Sequence, residues 1–136
     1  MPPEAQDAGA PSRWMDNARA DLSLARIPLP EGVQYEQLCF HAQQAAEKSL
    51  KAVLLECHID APFTHNLQVL LNLLSGCHLL LPDELRDVVD LTPYAVSTRY
   101  PGETEPVTES DYQDAVRLAT LAVHWAESVI ETTEQH

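Results

Sequence analysis

The sequence reads as all-helical, on three observations. Apolar residues recur at helical spacing in every long segment, the β-branched alternation of a sheet is missing, and four glycines and ten prolines sit mostly between periodic stretches. With 136 residues, 45% apolar and 21% charged, the chain fits one domain: a tail over 1–11, a helical unit over 12–132 and a short tail over 133–136. Residues 1–11 are rich in Pro, Ala and Gly and offer little to bury, so they are read as a tail.

A first helix is expected from about Arg13 to Arg26, with Ser12 as its N-cap and the stripe Trp14, Ala18, Leu22, Ala25 facing inward. Pro28 and Pro30 close it. A second, the longest, is expected from Gln34 to His58. At 100° per residue its Cys39, Ala42, Ala46, Leu50, Val53, Leu54 and Cys57 form an unusually wide apolar arc, and His41, Gln44, Lys48 and Lys51 form a narrow solvated face. Such a helix belongs at the centre.

Thr64 is read as the cap of a short third helix carrying Leu67, Leu70, Leu71 and Leu74, and Ser75-Gly76 ends it. Pro82-Asp83-Glu84 suits the first turn of a fourth, interrupted at Pro93. Thr108-Glu109-Ser110-Asp111 is a capping box with Asp in the acidic place, starting a last helix that reaches about Glu131. Its Tyr112, Ala115, Val116, Ala119, Val123, Ala126 and Ile130 are expected inside, and Gln113, Arg117, Thr120, His124 and Glu127 outside.

Eight Lys and Arg against 21 Asp and Glu give a formal net charge of −13, which disfavours non-specific duplex DNA binding. No apolar run reaches membrane-spanning length, and the first residues lack a basic and an apolar signal region, so the expected location is cytoplasmic. Cys39, Cys57 and Cys77 lack Cys-x-x-Cys spacing and read as reduced core thiols. Cys57-His58 and Cys77-His78 invite a zinc reading. Adjacent helical residues point about 100° apart, so no metal site and no cofactor is assigned.

Gln43 and Glu47 stand out, since they sit four apart on the apolar arc and a polar pair there needs partners. The choices are internal hydrogen bonds to Tyr94, Tyr100 or Arg99, a partner subunit, or a nucleotide pocket. Gln43, Glu47 and Arg99 are therefore expected to approach one another. Lys48 and Lys51 are read as solvated, with Glu47 to Lys51 as an i, i+4 pair.

The run Phe40-His41-Ala42-Gln43-Gln44-Ala45-Ala46-Glu47-Lys48-Ser49-Leu50-Lys51-Ala52, then Thr64-His65-Asn66-Leu67, then Thr98-Arg99-Tyr100-Pro101, resembles the HEPN domain family in order and spacing from about Trp14 to Glu131. The resemblance implies an antiparallel up-and-down bundle of about five helices, a homodimer, and a role in nucleotide or RNA transactions. It further implies a minimal nucleotidyltransferase partner in a toxin–antitoxin or defence context. Many relatives are metal-independent ribonucleases that place a His four to six residues after an Arg, the imidazole moving protons and the guanidinium stabilising phosphate charge.

Arg99 stands at the motif position, but Thr104, Glu105 and Pro106 occupy the places for the His. No catalytic residue is carried over. Arg99, Tyr100, Gln43, Glu47, Lys48 and His65 remain candidate contacts for a nucleotide, RNA or a partner. Arg117 and His124 match the spacing formally, but share their helix face with Glu127 and Glu131 and read as ordinary surface. The expectation is a module that is non-catalytic by itself; the alternatives are a ribonuclease toxin that borrows a histidine such as His65, or a structural dimerisation domain. A homodimer is also expected because the second helix carries more apolar arc than one bundle of this length covers. Light scattering checks it against the 15.1 kDa of a monomer.

Overall fold

The computed structural model describes residues 9–96 and 105–134, and all regular structure within them is helical. Four α-helices, α1 (Pro11–Ala25), α2 (Tyr35–Glu56), α3 (Leu67–Ser75) and α4 (Glu109–Glu134), are joined by a 3-10 helix at Asp83–Ala95 that precedes α4. The α2 helix is central, packed between α1 and α4, with α3 and the 3-10 helix closing the remaining side.

Directions follow from the cross-links. Trp14 lies over Lys51 while Asp21 reaches His41 and Lys48, so α1 and α2 run antiparallel. Arg19 bonds Glu127, and Tyr112 Oη donates to Ala25 O at 2.6 Å, so α1 is antiparallel to α4 as well. Burial pushes the Tyr112 phenol up, as expected for a hydroxyl that donates from a partly dry site. The Tyr35 and Tyr112 rings stack at 5.0 Å and bring the starts of α2 and α4 together.

Small residues let the helices approach closely. Ala42, Ala45, Ala46 and Ala52 of α2 and Ala119, Ala122 and Ala126 of α4 are fully buried, with Leu50, Val53 and Leu54 filling the space between. The apolar arc of α2 is thus covered within one chain, and the basis on which the sequence suggested a dimer through that helix is removed.

Several boundaries differ from expectation for local reasons. Helix α1 starts at Pro11, where a missing N–H costs nothing, and Ala10 rather than Ser12 is its cap. Asn66, whose side chain accepts from Gln68 N at 3.0 Å, caps α3; Thr64 Oγ1 instead accepts from Asn66 N, holding the turn before it. Pro93 lies inside the 3-10 helix, whose i→i+3 turns continue through a residue that would break an α-helix.

The capping box at Thr108 forms as expected: Thr108 N donates to Asp111 Oδ2 and Asp111 N to Thr108 Oγ1, both at 3.0 Å. Helix α2 ends at Glu56, with Cys57 as its cap. There His58 N bonds Leu55 O, Ile59 N bonds Leu54 O, and His58 takes the left-handed φ of 63°. This is a Schellman turn made without glycine, so its Cβ is held in a conformation that L-residues disfavour.

Candidate functional site

Glu47 sits on α2 with its side chain 5% exposed and gathers three donors. Gln43 Nε2, one turn earlier, reaches Oε1 at 3.1 Å; Lys51 Nζ, one turn later, reaches Oε2 at 3.0 Å; His65 Nδ1, in the segment before α3, reaches Oε1 at 2.8 Å. Gln43 Nε2 also lies 3.3 Å from His65 O, and Gln44 Nε2 donates to Gln43 Oε1 at 2.7 Å. Backbone and ring of His65 are both fastened to α2. The Gln43–Glu47 pair is satisfied inside the chain, as the angular reading of α2 required.

Among the described residues the cation on Glu47 is Lys51, and the expected exposure of Lys51 is corrected. Lys51 is 5% exposed rather than solvated, because Trp14 of α1 lies over its ammonium at 5.7 Å and the Glu47 charge compensates its burial. The pairing of Glu47 with Lys51 holds; its placement in water does not. Arg99 and Tyr100 lie outside the described residues.

A second carboxylate repeats the arrangement where α1 packs against α2. Asp21 of α1 places Oδ2 at 2.6 Å from Lys48 Nζ and Oδ1 at 3.1 Å from His41 Nδ1. Each carboxylate thus divides its oxygens between a lysine and a histidine Nδ1. Lys48, a candidate contact, keeps one quarter of its side chain exposed but is engaged by Asp21. Asp21 was not singled out in the sequence, although it lies three positions from Ala18 and four from Ala25, in line with the buried stripe. That register was the available signal.

Chemically, the His65 ring is the reactive-looking group of the cluster. With Nδ1 on Glu47, its other nitrogen Nε2 belongs to a side chain that is 66% exposed, the geometry of an imidazole oriented by a carboxylate. Lys51 is not available to a ligand, since its charge is spent on Glu47 in a nearly dry site.

The sequence model of the HEPN domain matches residues 11–129, which include α1, α2, α3, the 3-10 helix and most of α4. The chain belongs to the HEPN family. Two crystal structures agree: a protein of Thermus thermophilus, 28% identical with a TM-score of 0.72, and an archaeal HEPN homologue, 26% identical with a TM-score of 0.70. Each match covers 89% of this chain and 98% of the other. No curated protein sequence matches the chain. The HEPN resemblance rested most heavily on the run from Phe40 to Ala52, the part of α2 that builds both carboxylate clusters.

Arg117 and His124 line one shallow cavity with Glu84, Thr120 and Leu121, and Arg117 faces Asp114 at 4.0 Å. Their spacing therefore does place them on one face of α4, together with a carboxylate. Among the described residues, no three His, Cys, Asp or Glu side chains are arranged to hold a metal ion, and no helix is long and apolar enough to cross a membrane.

Proposed function

We propose that this HEPN chain is a module associated with nucleotide or RNA transactions, non-catalytic by itself, that works with a minimal nucleotidyltransferase partner in a toxin–antitoxin or defence setting. Family membership supports the association with nucleotides or RNA. The observation that carries the non-catalytic part is the neutralisation of both α2 lysines: Lys48 is held by Asp21 and Lys51 by Glu47, so neither is poised to stabilise charge developing on a phosphodiester. Thr104, Glu105 and Pro106 in place of a histidine after Arg99, and Glu103 and Glu105 nearby, support it further. Arg99, Tyr100 and His65 are the contacts we assign to ligand or partner. Gln43 and Glu47 hold the segment that presents His65, while Lys48 is engaged by Asp21.

One observation favours a ribonuclease instead. The Glu47–His65 pair is an oriented imidazole, a group able to give or take a proton. The two readings part in a cleavage assay with single-stranded RNA and tRNA in excess chelator. Intact RNA after incubation with wild type is the expected result, and residual cutting that is equal in wild type, Arg99→Ala and His65→Ala marks a contaminant. Cleavage by wild type that either substitution abolishes overturns the non-catalytic reading.

The homodimer belongs to this proposal too, with a changed surface. Because α2 is covered, the surface left for it lies among the other exposed apolar residues, of which Phe63 and Leu80 on either side of α3 are the most exposed and Val69 and Leu73 stand one turn apart on α3 itself. A dimer mass in light scattering at micromolar concentration is expected; a constant monomer mass contradicts it.

A further inference from the structure

A 3-10 helix repeats every three residues, so Leu85, Val88 and Leu91 share the buried row of Asp83–Ala95, and Arg86, Val89 and Thr92 share the next. Thr92 Oγ1 accepts from Leu67 N at 3.2 Å, which fastens that second row to the start of α3. Arg86 lies two turns earlier, about 12 Å back along the 3-10 helix, and α3 rises by about the same length from Leu67 to Ser75. Arg86 is thereby brought level with the end of α3.

Between the two elements lies a cavity of about 220 Å³, with Arg86 on one wall, Gln68, Asn72 and Ser75 of α3 on the other, and buried Leu71 and Leu85 beneath. No carboxylate lines it. Among the described residues Arg86 makes no ion pair, although Asp83, Glu84 and Asp87 are its near neighbours in a chain of 21 acidic residues and eight Lys and Arg. On the α3 wall, Gln68 Nε2 donates to Asn72 Oδ1 at 2.8 Å and Ser75 Oγ donates to Asn72 O at 2.7 Å. These bonds hold the two carboxamides in place and leave Gln68 Oε1 an open acceptor and Asn72 Nδ2 an open donor.

We infer that this cavity is a base-reading site for guanine. An anion by itself has no use for the Gln68 acceptor, whereas guanine carries acceptors and donors on adjoining edges. Its O6 and N7 match the two-pronged guanidinium of Arg86, its ring N–H and exocyclic amine match Gln68 Oε1, and Leu71 and Leu85 cover a face of the ring. Adenine sets an amino donor beside N7, against the donors of Arg86, and the pyrimidines have no N7. The volume falls below the roughly 300 Å³ at which pockets take up whole small ligands, so the base enters and the ribose and phosphate stay outside. This inference rests on the nucleotide or RNA reading proposed above and gives it a base.

The test titrates the full chain, at fixed salt, with GMP, AMP, UMP and inorganic phosphate, and follows backbone and side-chain amide signals by NMR. GMP is expected to bind about tenfold or more tightly than AMP or UMP, the discrimination of one bidentate base contact, and to shift the side-chain amides of Gln68 and Asn72. Arg86→Lys keeps the charge and loses the paired donors; Arg86 is exposed, so the fold is retained, and the preference for GMP is expected to vanish. Gln68→Ala is expected to weaken GMP and leave phosphate unchanged. Equal binding of GMP and AMP, GMP no tighter than phosphate, or a GMP preference that survives Arg86→Lys would overturn the inference. Where labelled single-stranded RNA still binds in that case, the guanine site alone is lost; where neither RNA nor any nucleotide binds, the reading beneath it falls as well.

Discussion

Replacing Glu47 by Leu is expected to destabilise the protein by about 3–5 kcal/mol, the cost of leaving one partner of a buried ion pair uncompensated. The Lys51 side chain is only 7% exposed and Trp14 covers its ammonium, so it cannot turn to water without opening the α1–α2 contact. Gln43 loses its acceptor at the same time, and His65 its anchor.

The control is the double replacement Glu47→Leu with Lys51→Met, which removes both charges and keeps the volume. It is expected to recover most of the loss, since a buried pair replaced by apolar groups is often neutral in stability. Denaturant unfolding of the two single variants and the double variant measures this. A loss below about 1 kcal/mol for Glu47→Leu, the range of exposed pairs, would mean that the cluster is open to water.

The parts of this fold that were legible in the sequence are those set by near neighbours in the chain. The Thr108 capping box needs only residues three apart, and it formed. The wide arc of α2 needs only the helical period, and Cys39, Ala42, Ala46, Leu50, Val53 and Leu54 are buried. The Gln43–Glu47 conflict was visible because two polar side chains shared that arc.

What escaped came from other elements. Lys51 was assigned to water because nothing in α2 itself announces that Trp14 covers it. Asp21 and His41 meet across two helices, so no local spacing marks them. The end of α2 at Cys57 escaped for the opposite reason: its Schellman turn uses His58 where the usual signal is glycine.

The candidate site divides along the same line. The Phe40 to Ala52 run and His65 were marked from sequence, and Glu47 brings His65 to α2. The role of the cluster shifts in the folded protein. Gln43, Glu47 and Lys51 satisfy one another, so they act as a clasp that presents His65.

The claim most in need of a direct measurement is that this HEPN module takes up nucleotide or RNA without turning it over. Wild type and Arg99→Ala are titrated into labelled single-stranded RNA with excess chelator at fixed salt, and the RNA recovered at the end is sized. The account predicts binding, full-length RNA in every sample, and affinity weakened by roughly 1.5–3 kcal/mol in Arg99→Ala, the range for a hydrogen bond to a charged group. Shortened RNA from the wild type alone, or binding that the loss of Arg99 leaves unchanged, would contradict it.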